Sequence, residues 1–124
     1  YFGGWAAKGI YYLGQSGSIF VRKGDTKVRI TGLSGIFNFK DYMNNKLEIF
    51  PFVGSDTISS YHCKQIDIFK MELLAQNATE QFDVFLSHDW PTAITKHGDE
   101  ERLLETKPYF KQEVQKNELG SPAL

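Results

Sequence analysis

Phe82-Asp83-Val84-Phe85-Leu86-Ser87-His88-Asp89-Trp90-Pro91 carries the strongest structural signal in the chain. From Phe82 to Leu86 the run is nearly all apolar, as expected of a strand buried on both faces at the centre of a parallel sheet. It leads into Ser87, His88, Asp89 and Trp90, and Pro91 forbids regular continuation. Polar, metal-competent residues at the carboxyl end of a buried strand are how an α/β protein presents chemistry. A neutral imidazole there suits a borderline transition metal, and a neighbouring carboxylate can orient it. His88 is therefore the candidate metal ligand and Asp89 its supporting group. A His-Asp pair also arises often by chance, and the spacing supplies no second ligand cluster.

Working upstream, Asp56 or Thr57 is expected to cap a helix running to about Gln76, with Ile58, Tyr61, Ile66, Phe69 and Leu73 mostly at three- and four-residue spacing. His62 falls in its second turn, where a lone histidine is more often satisfied or solvated than a ligand or acid. Cys63 reads as packing, because only Lys64 nearby would depress a thiol pKa. Asn77-Ala78-Thr79 reads as a helix end rather than a glycosylation acceptor. Before this helix, Leu33 to Asp56 has no sustained period and carries Phe37, Phe39, Tyr42, Phe50 and Phe52. So long a loop is functional or disordered, and its aromatics argue against disorder. Two readings stay open: stacking on unpaired bases beside Lys40 and Lys46, or a cover folded back over the domain.

Earlier still, Gly9 to Leu13 reads as a short buried strand and Ser18 to Arg22 as a second. Lys23-Gly24-Asp25-Thr26 turns the chain into Lys27-Val28-Arg29-Ile30-Thr31, whose alternation predicts a hairpin with the basic side chains in water. Arg22, Lys23, Lys27 and Arg29 are the wet face on this reading, with phosphate contact the alternative. Strand, excursion, helix and strand make an α/β crossover. Downstream, His97 is expected in a loop, Glu100 to Glu105 and Tyr109 to Asn117 in two helical pieces split by Pro108, and Ser121-Pro122 at the start of a further helix. Lys107 and Lys111 are solvated or belong to a phosphate-facing rim.

With 124 residues, 41% hydrophobic and 15% aromatic, the chain suits one globular unit. Fourteen basic residues against 15 acidic ones exclude a global field that would steer it to nucleic acid or a membrane. Cys63 is the only cysteine, which excludes an internal disulfide framework and suits a reducing compartment. No apolar run is long enough to span a membrane, so a soluble intracellular protein is expected. The opening Tyr1-Phe2-Gly3-Gly4-Trp5 and the closing Ser121-Pro122 suggest a piece of a larger domain.

Several of these stretches together resemble one family. Tyr11-Tyr12-Leu13-Gly14, Gly32-Leu33-Ser34-Gly35-Ile36, Tyr61-His62, Phe85-Leu86-Ser87-His88-Asp89-Trp90-Pro91, Gln112-Glu113-Val114 and Leu119-Gly120-Ser121-Pro122-Ala123 are similar, in order, to the RNA lariat debranching family. The resemblance implies the central part of a calcineurin-like metallophosphoesterase, a layered α/β sandwich. It implies hydrolysis of the 2′–5′ phosphodiester at the branch of excised intron lariats, in the nucleus with the cytoplasm as a second location. It also implies a binuclear centre of divalent metals, iron with zinc or manganese, of whose ligands only His88 lies in this chain.

No acid–base catalyst is expected within the 124 residues. Residues 33–56 correspond to the family's lariat-recognition loop. Phe37, Tyr42, Phe52, Tyr61, His62, Lys64 and Trp90 are then candidates for contact with branched RNA, with no membrane and no obligate protein partner implied. Lys64 stands where the family usually has Arg, Phe50-Pro51-Phe52 where it often has Pro-Pro-Tyr, and Ser59 where Arg is usual. Arg and Lys differ in bidentate phosphate contacts. The rival readings are another metallophosphoesterase and a non-catalytic RNA-binding fragment.

Overall fold

The computed structural model describes residues 3–77 and 81–124. Ala78 and Thr79 of the possible glycosylation triplet lie outside them. The chain forms two compact units, one up to His88 and one from Asp89 to Leu124.

The first unit opens with a ribbon of β1 (Gly4–Ala7) and β2 (Ile10–Tyr12), antiparallel, with Trp5 paired to Tyr11. Their rings meet edge to face at 5.2 Å. β2 is exposed, not buried as expected. A two-stranded ribbon offers both faces to solvent unless another layer covers it.

β3 (Ser16–Lys23) and β4 (Thr26–Leu33) form the expected hairpin, in register from Ser16↔Leu33 to Lys23↔Thr26. The wet-face expectation fails at Arg29, which is only 8% exposed. Its Nε donates to Ser18 Oγ at 2.9 Å, and its guanidinium lies 4.7 Å from the Phe82 ring centroid. Stacking on an aromatic face with a hydroxyl acceptor offsets the desolvation of this cation. Thr31 beside it is fully buried and shares the Ser18 hydroxyl.

The excursion after β4 is not structureless. It contains α1 (Phe39–Asn44), capped by Asn38, whose side chain accepts from the Asp41 N–H, and closed by Asn45 in the left-handed region. These caps are the local signal that counting apolar periodicity overlooks.

The single helix expected from Asp56 to Gln76 is two helices, α2 (Asp56–Ser59) and α3 (Gln65–Gln76). They part because the intervening backbone leaves the helical pattern to pair with Ile36. The buried positions of α3 are Asp67 and Met71, whereas Phe69 and Leu73 are exposed. Asp67 accepts from the Lys64 N–H at 3.3 Å, satisfying one of the helix's leading donors.

The decisive stretch forms β5 (Val84–Ser87), parallel to β4 from Ile30↔Val84 to Leu33↔Ser87. The sheet order is β3-β4-β5, so the crossover is as expected but β5 is an edge rather than a centre among the described residues. Val84, Phe85 and Leu86 are correspondingly exposed. Asp83 pins the strand's start by accepting from the Arg29 N–H at 2.6 Å. The small apolar core of this unit is Leu33, Cys63 and Met71.

In the second unit His97 ends a short 3-10 turn, Ile94–His97. α4 (Glu100–Thr106) and α5 (Lys111–Lys116) follow, parted by a 3-10 turn at Pro108–Phe110, as the two-piece reading expected. Asp99 caps α4 and Val114 is buried. Ser121 does not open a helix among the described residues. Its backbone pairs with Pro91, while its hydroxyl accepts from the Ala123 N–H at 3.3 Å, as an N-cap hydroxyl does.

Candidate metal and nucleic-acid site

Parallel pairing of β4 with β5 brings two strand ends side by side. Leu33 is level with Ser87, and the His88 N–H donates to the Leu33 carbonyl at 3.2 Å. His88 thus leaves the sheet where the excursion departs. An open groove of about 340 Å³ lies here, lined among others by Tyr11, Tyr12, Gly14, Leu33, Ser34 and His88. Three of the stretches that carry the family resemblance therefore meet in one place.

His88 is exposed. An accessible imidazole at a strand end fits one ligand position of a transition metal. Among the described residues no group of three or more His, Cys, Asp or Glu is arranged to hold a metal ion. The donors of the described residues therefore fit a contribution to a centre rather than a whole one.

The foot of the excursion is closed by backbone pairing. Ile36 N–H donates to Tyr61 O at 3.1 Å, and Cys63 N–H donates to Ile36 O at 3.0 Å. Gly35, with φ of 100°, makes the approach possible, since a Cβ there would sit 2.8 Å from the Cys63 nitrogen. Around this closure most of the candidate RNA-contacting residues gather. The Phe37 and Tyr42 rings lie 5.3 Å apart, and burial, with the Cys63 and Glu72 groups, raises the Tyr42 phenol above its ordinary pKa. Tyr61 is half exposed and edge-on to His62, whose Nδ1 is 2.6 Å from the Asp41 carboxylate. Phe52 stands apart from this cluster, against the exposed Phe50.

Lys64 does not face solvent. Its side chain is 5% exposed and its ammonium lies 2.8 Å from Glu48, itself 2% exposed at the side chain. Ser59 Oγ donates to the same carboxylate oxygen at 2.5 Å. Burial alone would raise the Glu48 carboxyl. Hydrogen bonds from Lys64 and Ser59, with its own backbone amide and the Lys64 charge, outweigh burial and hold the pKa below the usual glutamate value. A second carboxylate, Asp56, takes the Lys46 ammonium at 2.5 Å and, by that hydrogen bond and its charge, raises the lysine.

Asp89 and Trp90 belong to the second unit. The Trp90 N–H donates to Asp89 Oδ1 at 3.0 Å. Trp90 O accepts from the Ser121 N–H at 2.7 Å, and the Thr92 N–H donates to Ser121 O at 3.1 Å. The Trp-Pro and Gly-Ser-Pro stretches are thus partners in one short backbone pairing. Gly120, with φ of 92°, is required there because a Cβ would collide with the Trp90 carbonyl. The Trp90 ring leans toward Phe110 at 6.4 Å.

No family model matches the chain. Among curated proteins it is 45% identical over 122 residues to the Homo sapiens protein named lariat debranching enzyme, which covers 98% of the chain. The Arabidopsis thaliana protein of that name is 46% identical over 121 residues, also 98% of the chain, and the Schizosaccharomyces pombe one 42% over 123, or 99%. The chain is homologous to part of the lariat debranching enzymes. It spans 21%, 27% and 25% of the length of these three relatives, respectively.

Of the residues that tie the excursion down, Asp41 and Glu48 belong to no motif of the sequence, and Ser59 stands out there only as a departure from the family's usual Arg. Glu48 carries a visible signal, as the only acid between Asp41 and Asp56 in an otherwise aromatic and amide-rich segment. Its partner, 16 residues further on, is not visible without the fold.

Proposed function

We propose that this chain is the central part of a metal-dependent phosphodiesterase that opens excised intron lariats by hydrolysing the 2′–5′ bond at their branch. The observation that supports this most is similarity across 98–99% of the chain to proteins named lariat debranching enzyme. Divalent metals in a binuclear centre, iron with zinc or manganese, would supply Lewis acidity and a water of lowered pKa. His88 holds one of them through its imidazole, and Asp89 supports that ligand. The groove beside His88 receives the branch, with Tyr11 and Tyr12 on its wall.

Residues 33–56 form the RNA-reading excursion of this proposal. Phe37, Tyr42, Phe52, Tyr61 and Trp90 offer faces for unpaired bases, and His62 and Lys64 shape its foot. On this reading the protein works in the nucleus, with the cytoplasm as a second location. The exposed apolar face of β5 is covered, on this reading, by further layers of the same α/β sandwich.

The test compares, in the complete enzyme, a branched RNA with a generic phosphodiester such as bis(p-nitrophenyl) phosphate. Preferential cleavage at the branch is expected. Cleavage of the generic ester alone would replace this reading with that of another metallophosphoesterase. His88→Ala should lose one metal per molecule and most debranching, and unchanged metal content by elemental analysis would remove His88 from the ligand set.

A further inference from the structure

We propose that Glu48 is a positioning residue, which sets the pose of the exposed tip of the excursion and so governs recognition of the branched substrate. The inference rests on the recognition role given above to residues 33–56. The tip has little packing of its own: Ile49 is 81% exposed, Phe50 84% and Val53 69%. Side chains so bare cannot fix where they point, so the tip's direction is set by its attachments on either side.

On one side that attachment is Glu48, and it is unusually costly. Both members of the Glu48–Lys64 pair are almost wholly withdrawn from water. A buried ion pair roughly returns its desolvation cost, so net stability is a poor account of why it is there; fixing one arrangement among several is the better attested use. Glu48 is held by two donors from two places, the Ser59 hydroxyl at the end of α2 and the Lys64 ammonium at the start of α3. Both donors converge on Glu48 Oε1, so that oxygen is held from two elements at once where a single donor would leave it free to swing.

The neighbouring tethers act on other parts of the loop. Asp41 to His62 and Asn45 to the Ile66 N–H hold α1 and its end. Lys46 to Asp56 closes the tip across its neck, but the Lys46 side chain is 60% exposed and that pair is screened. Glu48 is the attachment next to Ile49 and Phe50, and it lies outside the His88 groove. Its removal should therefore alter substrate reading and leave bond hydrolysis alone.

The experiment uses the complete enzyme with Glu48→Ala and Glu48→Gln, steady-state kinetics on a branched RNA, turnover of bis(p-nitrophenyl) phosphate, and hydrogen exchange over residues 46–54. Glu48→Ala should raise KM for the branched RNA by about tenfold, the loss expected for a charge-assisted hydrogen bond, with kcat and generic turnover kept within about twofold. Glu48→Gln keeps the length and an acceptor, so it should recover part of the KM. Exchange over residues 46–54 should speed up in Glu48→Ala and less in Glu48→Gln. An unchanged KM, or a fall in branched and generic turnover together, overturns the proposal. If the unmodified enzyme cleaves the generic ester and ignores the branched RNA, the recognition role fails instead. The exchange data still decide in that case whether Glu48 poses the tip, and protection equal to the unmodified protein would refute it.

Discussion

Replacing Gly35 by alanine should open the foot of the excursion. The backbone there has φ of 100°, which an alanine adopts only at a cost of about 1–3 kcal/mol. The new methyl would also lie 2.8 Å from Cys63 N, 3.0 Å from Tyr61 O and 3.2 Å from His62 C. These are backbone atoms already engaged with Ile36, so they cannot turn aside as a flexible side chain would. Moving them weakens two backbone hydrogen bonds, each worth about 0.5–1.5 kcal/mol net. Together these give a loss of about 2–6 kcal/mol in holding the foot closed, or opening more frequent by at least roughly 30-fold. Native-state hydrogen exchange at the Ile36 and Cys63 amides of the complete protein reads that change directly. If both amides in Gly35→Ala exchange within about threefold of the unmodified rate, the strain argument is wrong.

Three other outcomes follow from the same geometry. The Glu48 carboxyl lies below its ordinary pKa, so the stability it adds is fully present above about pH 4.3 and is lost as pH falls through the lower folded value. Glu48→Gln should flatten that part of an acid-unfolding curve, and an unaltered slope would show that Glu48 is not depressed. In the second unit, Gly120→Ala should release the Thr92 and Ser121 amides to exchange, at a cost of at least about 1–3 kcal/mol; continued protection of both would count against the required glycine. The 124-residue chain by itself should fail to take up two metals stoichiometrically in a titration, because one imidazole cannot hold a binuclear centre. Saturation at two would contradict this.

Local chemistry made much of the fold legible. Gly24-Asp25 between two β-branched runs specified the hairpin, and Pro108 parted the two helical pieces where the chain parts them. The apolar run into His88 announced a strand end, and β5 ends there. Long-range pairing defeated the rest. Arg29 looked solvated until Ser18 and Phe82 came to meet it. The helix across residues 60–64 looked continuous until Ile36 took its backbone, and α1 was hidden because asparagine caps, not an apolar stripe, define it. That His88 follows a strand end was readable from the apolar run before it. Lys64 was readable as a cation, but its burial against Glu48 depends on a fold that returns the loop onto α3.

The paired backbone at Ile36 and Cys63 has a consequence for how this segment can vary. Once that foot is closed, the residues between its two sides are a closed ring whose ordering cost grows only with the logarithm of its length, about 0.6 kcal/mol per doubling. Residues can then be added or removed at the bare tip without moving Leu33, which is level with Ser87 and accepts from the His88 N–H. On the proposed function, the length of the excursion is thus free to follow the shape of the RNA it reads, while the strand ends below it keep their place.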